Sequence, residues 1–492
     1  MLAITGFVFA ASAIIWLWNY AKKPYSTLSK YKNIPVPKGG RYLFGHIFES
    51  AKHEHISRYE LHLFSELGPT FGIVEFDTAV IITKDLDLIK EVYFNSSKTF
   101  SGRRKLFLRK WMRYSLVDQE GSEWKRIRNL LTPFFSTSKL KNNLSLVNCC
   151  CKTFIGHLEK MSYQQGPIDV LSLSAAFTLD FICSSAFGLQ VDSQRDGDAG
   201  ENGTLLTTLR KLTNLNFDDP LVFICFTFPF MSPILEFFGV SMFPSGFLEY
   251  FETFVDQIIR ERLNSKDKQV NMHIYHIYSV GLTREEILAQ TLIFVLAGYD
   301  TTSRTLTFAL YSLAINPEVQ EKVYKEIEDT IGEQESASNE KLSNLTYMDM
   351  FLNETMRCYP AAFRIDRRLT SNIQMSDGTA LKKGTSIVVP IWAIHNDPQI
   401  YPDPEIFDPE RFSPEESSKR NPLYHIPFGI GARNCIGMRM AQMVIKMALV
   451  DVLKNFVLLR IDETTVPLKM KKFTAFLQPE SNIYLGLRRR TS

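Results

Sequence analysis

The chain has 492 residues, 45% of them hydrophobic and 22% charged, a globular composition that excludes a disordered polypeptide. Its net charge of only +3, with no basic stripe interleaved with aromatic residues, gives no footing for nucleic acid. Seven cysteines, an odd number without disulfide or metal-ligand spacing, point to a reducing compartment.

Residues 2–18 are apolar and uncharged. About 19 helical residues at ~1.5 Å each reach roughly 28 Å, enough to cross a thin bilayer. Ala11-Ser12-Ala13 fits a signal-cleavage site only superficially, because Ile14, Ile15, Trp16, Leu17 and Trp18 continue the apolar run and no basic segment precedes it. Lys22, Lys23, Lys30 and Lys32 follow, so the positive-inside rule predicts a single-pass signal-anchor over 1–21 with the remainder cytosolic. The sequons Asn202-Gly203-Thr204 and Asn344-Leu345-Thr346 then stay unmodified, and their glycosylation would refute that topology. A basic, proline-rich hinge over 22–40, with Pro35-Val36-Pro37-Lys38-Gly39-Gly40 as a stiff turn, leads into one large domain over 41–492.

Within that domain, residues 71–83 alternate with β-branched side chains and predict a small sheet. From Trp124 onward the apolar spacing is mostly helical, so the expected class is mainly α with a minor β region. Trp124 and Arg128 stand one helical turn apart. Residues 216–247 are crowded with aromatics, among them Phe226, Phe228, Phe230, Phe237, Phe238, Phe243 and Phe247. Core packing is one reading of them and an apolar surface is the other.

Leu282-Thr283-Arg284-Glu285-Glu286 fits a capping box with Thr283 as N-cap, and an apolar pattern follows to Asn316-Pro317. One long helix is expected. It carries Ala297-Gly298-Tyr299-Asp300-Thr301-Thr302, a polar cluster after Ile293, Phe294, Val295 and Leu296. Polar groups there need partners or a task. Farther on, Glu354 and Arg357 share a helical face, and Pro409-Glu410-Arg411-Phe412 supplies another arginine. Arg488 to Arg490 read as a short solvated basic tail.

The segment with most chemistry is Phe428-Gly429-Ile430-Gly431-Ala432-Arg433-Asn434-Cys435-Ile436-Gly437, leading into a helical stretch over 438–456. Gly429, Gly431 and Gly437 free the backbone for close approach, so the loop can wrap a sulfur beneath a flat ligand, with Arg433 facing an anion. Keeping a thiol of pKa ~8.5 mostly ionised at neutral pH takes roughly 2 kcal/mol or more of anion stabilisation. A helix N-terminus contributes only about 0.3–1 kcal/mol. A coordinated metal ion supplies the rest, because its charge deprotonates the thiol outright.

The run Phe428-x-x-Gly431-x-Arg433-x-Cys435-x-Gly437 resembles the haem-binding loop of the cytochrome P-450 superfamily, the haem-thiolate monooxygenases. Ala297-Gly298-Tyr299-Asp300-Thr301-Thr302 resembles its oxygen-side helix motif, Glu354-x-x-Arg357 and Pro409-Glu410-Arg411-Phe412 its buried structural network, and Trp124-x-x-x-Arg128 one of its propionate clamps. The match covers nearly all the chain after the anchor and is nearest to the microsomal animal group of xenobiotic and steroid oxidases that also contains thromboxane synthase. It implies that fold, haem b as cofactor, and Cys435 as axial ligand. Phe428, Trp124, Arg128, Arg367, Arg433 and, on weaker grounds, Arg103 would help hold the haem, the cations because a buried dianion needs planar, bidentate donors. It further implies proton delivery by Asp300 and Thr301, room for dioxygen at Gly298, and a substrate pocket of Leu296, Ala297, Thr301, Ala361, Ala362 and Phe476. Glu354, Arg357 and Arg411 would be structural. His395 reads as a packing residue.

No flavin or dinucleotide fingerprint is present, so electrons must come from a separate protein. The resemblance implies NADPH-cytochrome P-450 reductase, with cytochrome b5 as a further partner, docking where Lys125, Arg126 and Arg439 offer positive charge. It also implies an endoplasmic reticulum membrane, a proline-rich hinge at 35–40, and lid helices near 216–247 that dip into the bilayer and admit an apolar small molecule. One departure is a shortened segment between Glu261 and Thr283, containing His273 and His276, neither read as a metal ligand. The leading expectation is insertion of one oxygen atom from O2 into an apolar organic molecule. The alternatives are a haem-thiolate isomerase acting on a peroxide, a membrane-anchored haem-binding protein without turnover, and a hydrolase using Cys435 as nucleophile.

Overall fold

The computed structural model describes residues 2–31, 33–95, 98–104, 110–164, 166–188, 193, 220–228, 231–240, 246–264, 281–332, 337–375, 378–472, 474 and 476–490. Helix α1 (Leu2–Leu28) contains the expected anchor but continues past residue 21 into the expected hinge. It does so because its end has somewhere to pack: Leu28 and Tyr31 are buried with Val74 and Ile81, and the Tyr31 hydroxyl pairs with Thr385 Oγ1 at 2.9 Å. Beyond it, the Pro35 carbonyl accepts from Gly72 N–H at 2.8 Å, tying the proline-rich turn to the sheet.

That sheet has the order β1 (Thr70–Glu75), β2 (Thr78–Thr83), β5 (Ser386–Val389), β4 (Ile365–Arg368). The first two pair as an antiparallel hairpin where a small sheet was expected over 71–83. Strand β5 joins β2 in parallel through Val80↔Ser386, and β4 lies antiparallel to β5 with Arg367 opposite Ile387. A second sheet, β3 (Ile168–Asp169), β7 (Tyr484–Arg489), β6 (Phe456–Leu459), is antiparallel. Its last strand holds residues 488 and 489, whose side chains are exposed as a solvated basic segment requires, and only Arg490 departs from that reading. Arg489 Nη2 pairs with Glu159 at 3.1 Å, and the half-buried Arg490 stacks on Tyr324 at 3.4 Å and pairs with Glu321. Strand pairing to β6 draws these arginines onto the domain.

The helical layer holds α2 (Gly121–Leu131), α3 (Thr137–Gln164), α4 (Val170–Ile182), α5 (Phe247–Asn264), α6 (Arg284–Ile315), α7 (Pro317–Ile331), α8 (Thr346–Cys358) and α9 (Met438–Asn455). Helix α6 starts where the capping box predicts. Glu286 N–H donates to Thr283 Oγ1 at 3.2 Å and Thr283 N–H to Glu286 Oε2 at 2.9 Å. It ends at Asn316 because Pro317 opens the next helix and cannot continue the old one. Around it, α4, α8 and α9 bury Leu306, Phe308, Tyr311, Phe351 and Leu449 completely or nearly so. Residues Val170–Phe187 are apolar enough to cross a membrane, but 83% of that stretch is buried inside the domain.

In the aromatic segment, Phe247 is core, whereas Phe237 and Phe238 are 85% and 72% exposed. The expectations for Phe230, Phe243, His273, His276, Asn202 and most of the shortened segment fall outside the described residues, as does that for the Phe226 side chain.

Candidate active site

The cysteine loop is a tight turn ahead of α9. Gly429 and Gly431 sit at φ +71° and +70°, and a Cβ on Gly431 would come within 2.4 Å of the Tyr93 carbonyl oxygen. Gly437 differs: at φ −90° it caps α9, and a Cβ there would meet Phe135 at an ordinary 3.8 Å. Two of the three glycines are therefore demanded by the backbone. The Cys435 N–H donates to the Phe428 carbonyl at 2.9 Å and closes the turn. Cys435 is exposed on one side, yet loop atoms crowd its other side, and this desolvation pushes the thiol pKa up. The Gly437 N–H, Arg128 and Arg103 pull it down without winning. An external cation is needed to ionise it.

Four arginines converge on this loop. Arg103 Nη2 donates to the Arg433 carbonyl at 3.3 Å, and Arg128 donates to the Asn434 carbonyl and to Asn434 Oδ1 at 3.1 and 3.2 Å. Arg367 Nη2 reaches the Ile430 carbonyl at 3.4 Å, and Arg433 Nη2 the Gln119 carbonyl at 2.6 Å. Arg433 also stacks on Trp124, and Arg367 on Tyr93, both at 4.5 Å. Among the described residues the acceptors on this loop are neutral, and Glu120 and Asp366 act on Arg433 only through space. The nearby carboxylate of Glu75 is taken by Arg104 and Arg364 at 2.9 and 2.7 Å. Burial, then repulsion from Arg103 and Arg367, drops Arg433 to about 9, and burial also lowers Arg367 and Arg128. The Arg103 Nε is buried without a hydrogen-bond partner. Mutually repelling guanidiniums in a buried site describe a place for an anion.

Helix α6 closes the opposite side. Phe294 packs on Phe135 at 5.5 Å between ring centres and shares an apolar cluster with Trp124, Ile127 and Ile436, the neighbour of Cys435. Ala297 and Thr301 follow Phe294 on one helical face. Ala297 is exposed and Leu296 and Thr301 are half-buried, although Tyr299, Asp300 and Thr302 to Ala314 are buried. An exposed alanine in the middle of a core helix marks an open space on the cysteine side. The Thr301 hydroxyl donates to the Ala297 carbonyl at 2.7 Å. Gly298 is a correction: its missing Cβ lies 3.0 Å from Ile182 Cδ1, so it admits α4 rather than facing the open side. Asp300 turns away as well, pairing with Arg304 at 2.7 Å.

Three of the other expected pocket residues lie together. The Ala361 carbonyl accepts from Leu477 N–H at 3.0 Å, which sets Ala361, Ala362 and Phe476 side by side, all three half-buried.

The cytochrome P450 family profile matches residues 35–487. The chain is 36% identical to cytochrome P450 3A31 of Mesocricetus auratus over 495 residues, covering 99% of this chain and 97% of that one. It is 32% identical to cytochrome P450 3A41 of Mus musculus over 496 residues (98% and 96%) and 33% identical to cytochrome P450 3A29 of Sus scrofa over 491 (98% and 96%).

The chain belongs to the cytochrome P450 family. It is a monooxygenase with a haem-thiolate cofactor, which disposes of the hydrolase reading of Cys435. Its electrons come from a reductase. The residues present fit that group, since Cys435 is exposed and the four arginines around its loop form no ion pair with a carboxylate among the described residues.

The network read as the family's structural element is closely built. Arg357 and Glu354 are fully buried and joined by two bonds of 2.7 and 2.9 Å, and Arg357 also donates to the His395 and Pro404 carbonyls at 2.9 Å each. Arg411 is looser: its Nε is 3.7 Å from Glu354, and its Nη2 donates to the Asp403 carbonyl at 2.9 Å. His395 is a packing residue, fully buried, accepting from Ile426 N–H at 3.2 Å and stacked on His425, and burial holds its pKa far below the ordinary value.

Sequence reading passed over several contributors to this P450 site. Asn434 anchors Arg128, Tyr93 buttresses both Gly431 and Arg367, and Arg304 pairs with Asp300. Arg364 bridges Glu60 and Glu75, each at 2.7 Å. Only Arg304 left a signal, four residues after an acid on a predicted helix. The three expected docking cations Lys125, Arg126 and Arg439 are all exposed, but Arg126 is paired with Glu123 of α2 and Glu286 of α6.

Proposed function

We propose that Cys435 is the axial thiolate of haem b, that Arg103, Arg128, Arg367 and Arg433 with Trp124 hold its propionates, and that Phe428 supports the loop. When bound, the haem supplies the oxygen-activating chemistry, with electron density pushed from the sulfur. The observation that carries this reading is the convergence, on the loop of an exposed cysteine, of four arginines that form no ion pair with a carboxylate among the described residues.

The chain's own residues do the rest. Leu296, Ala297, Ala361, Ala362 and Phe476 line an apolar space that orients a nonpolar organic molecule and keeps bulk water from it. The Thr301 hydroxyl, at the same face as Ala297, can release its bond to the Ala297 carbonyl and donate toward that space, while Asp300 on the adjacent face brings protons from solvent. NADPH provides two electrons through NADPH-cytochrome P-450 reductase, with cytochrome b5 as a second donor. The exposed Lys125 and Arg439 offer the docking charge. One oxygen atom enters the substrate and the other leaves as water.

The same reading makes residues 1–21 a membrane anchor on the endoplasmic reticulum, residues 22–40 the connection, and 41–492 a cytosolic catalytic domain. Exposed Ile14, Ile15, Trp16 and Trp18 on α1, together with Phe237 and Phe238, would face lipid. The test is the reduced, carbon-monoxide-bound absorption spectrum of the purified protein beside Cys435→Ser, followed by NADPH and oxygen consumption with an apolar substrate. A strongly red-shifted Soret band that disappears in the variant, with product matching NADPH, is expected. A band that survives the substitution would refute Cys435 as the ligand.

A further inference from the structure

The first turn of α6 is tied to two other helices. On one side Arg284 pairs with Asp256 of α5 at 2.6 Å. On the other, Glu286 Oε1 takes Arg126 of α2, while its Oε2 accepts from Thr283 N–H at 2.9 Å within the capping box. Beside this pair, Ile127 and Leu131 of α2 share one apolar cluster with Leu282 and Ile287 at the start of α6. The two members of the pair differ in their surroundings. The Glu286 side chain is 8% exposed, whereas that of Arg126 is 40% exposed and Lys125 next to it is exposed as well. Arg126 has a second acid, Glu123, at 3.0 Å, but that carboxylate lies open to water on the same helix, and such pairs are weak. Glu286 therefore has the stronger hold on Arg126. Among the described residues Lys125 and Arg439 form no ion pair with a carboxylate, so one docking cation of the three is already engaged within the chain.

We infer that the Arg126–Glu286 pair is an autoinhibitory clasp on the docking face: the acidic surface of the redox partner must take Arg126 from Glu286, so α6 competes with the partner for this cation. The inference rests on the proposed docking of the reductase at Lys125 and Arg439, to which it adds Arg126. The exchange is open to a guanidinium because its long stem swings while its planar fork holds one carboxylate or the other. On release Glu286 keeps the Thr283 N–H, so the helix stays capped. The partner must break the pair to complete its own contacts, and its affinity is set below what three open cations would give.

The test uses full-length holoenzyme in phosphatidylcholine nanodiscs and fluorescently labelled NADPH-cytochrome P-450 reductase, with Kd read at several salt concentrations. Glutamine at this position still completes a capping box, so Glu286→Gln removes the charge and leaves the helix start in place. It is expected to tighten reductase binding roughly three- to tenfold, with a steeper loss of affinity on adding salt, because one more cation then faces the partner. Unchanged affinity would overturn the clasp. Thr283→Ala removes the capping hydroxyl and keeps the ion pair, so its unfolding midpoint should fall while its Kd stays that of the wild type. Equal tightening in Thr283→Ala would assign the gain to a loosened helix rather than a freed arginine, against the inference. In an Arg126→Gln background Glu286→Gln should change nothing, and a gain persisting there would reduce the effect to long-range charge, which also overturns it. Lys125→Gln should weaken binding several-fold, and no change at Lys125 would instead refute the docking face itself. Should Glu286→Gln fail to hold haem, the single variants decide: Arg126→Gln is expected to lose less affinity than Lys125→Gln, and equal losses would overturn the clasp.

Discussion

Replacing Glu354 by glutamine is nearly isosteric, so its effect isolates charge and hydrogen bonding. Glu354 accepts three bonds from nitrogen donors, Arg357 Nη2 and Asp408 N–H at Oε1, each 2.9 Å, and Arg357 Nε at Oε2, 2.7 Å, besides a long contact of 4.0 Å from the Cys358 thiol. A glutamine offers one acceptor oxygen, so at least one of these donors must face an NH2 group, and Arg357 keeps its charge with no anion beside it. Both side chains are fully buried, so solvent cannot compensate. Breaking such a pair costs roughly 3–5 kcal/mol, which at an m-value of roughly 3 kcal/mol per molar lowers the urea midpoint by about 1–1.7 M. Arg411→Gln should cost only about 1 kcal/mol, because its 3.7 Å approach to Glu354 is long and the side chain is 12% exposed. The assay is loss of the thiolate-haem band against urea, with far-ultraviolet circular dichroism in parallel. A midpoint for Glu354→Gln equal to or above that of Arg411→Gln would refute the argument.

Glu60 sits beside Arg364, yet burial outweighs that cation and raises its pKa to about 7 from 4.5. Its folded form therefore holds a proton that the unfolded form releases, so this group lowers stability as pH rises from 4.5 to 7. Glu60→Gln should flatten that part of the stability profile, as read by unfolding midpoints across pH. Glu75 runs opposite: burial alone would raise it, but Arg364 and Arg104 bring it to about 2, so its contribution is present above 4.5 and lost on acidification toward 2. Removing it with Glu75→Gln should reduce stability at neutral pH by roughly 1–3 kcal/mol. Charge reversal at Lys125 and Arg439 should raise the reductase concentration needed for half-maximal turnover several-fold, more at low salt, and leave the substrate-binding spectrum alone. Phe237→Ser with Phe238→Ser should weaken vesicle binding of the chain lacking residues 1–21 by more than tenfold, given about 1.5–3 kcal/mol per buried phenylalanine. Equal flotation of the two proteins would dismiss that lipid contact.

Local rules carried the sequence reading wherever the physics was local. The Thr283–Glu286 box and Pro317 bounded α6 because capping and the missing proline N–H act within one turn. Strand structure over 71–83 followed from alternation, and the tight cysteine loop from a dense run of glycines. The spacing of Glu354 and Arg357 foretold their pairing because helix geometry alone brings them together. Other features depend on chain segments hundreds of residues apart. Arg490 left the solvent because β7 found β6, α1 ran on because Leu28 found Val74, and Gly298 proved to serve Ile182 of α4. Whether Asp300 faces the cysteine side or turns away to Arg304 is a rotation about one helix axis, and the sequence determined the helix while the packing of α4 against Gly298 decided the rotation. Burial and side-chain partners are properties of the packed chain, so the acid was legible from its motif and its working direction was not.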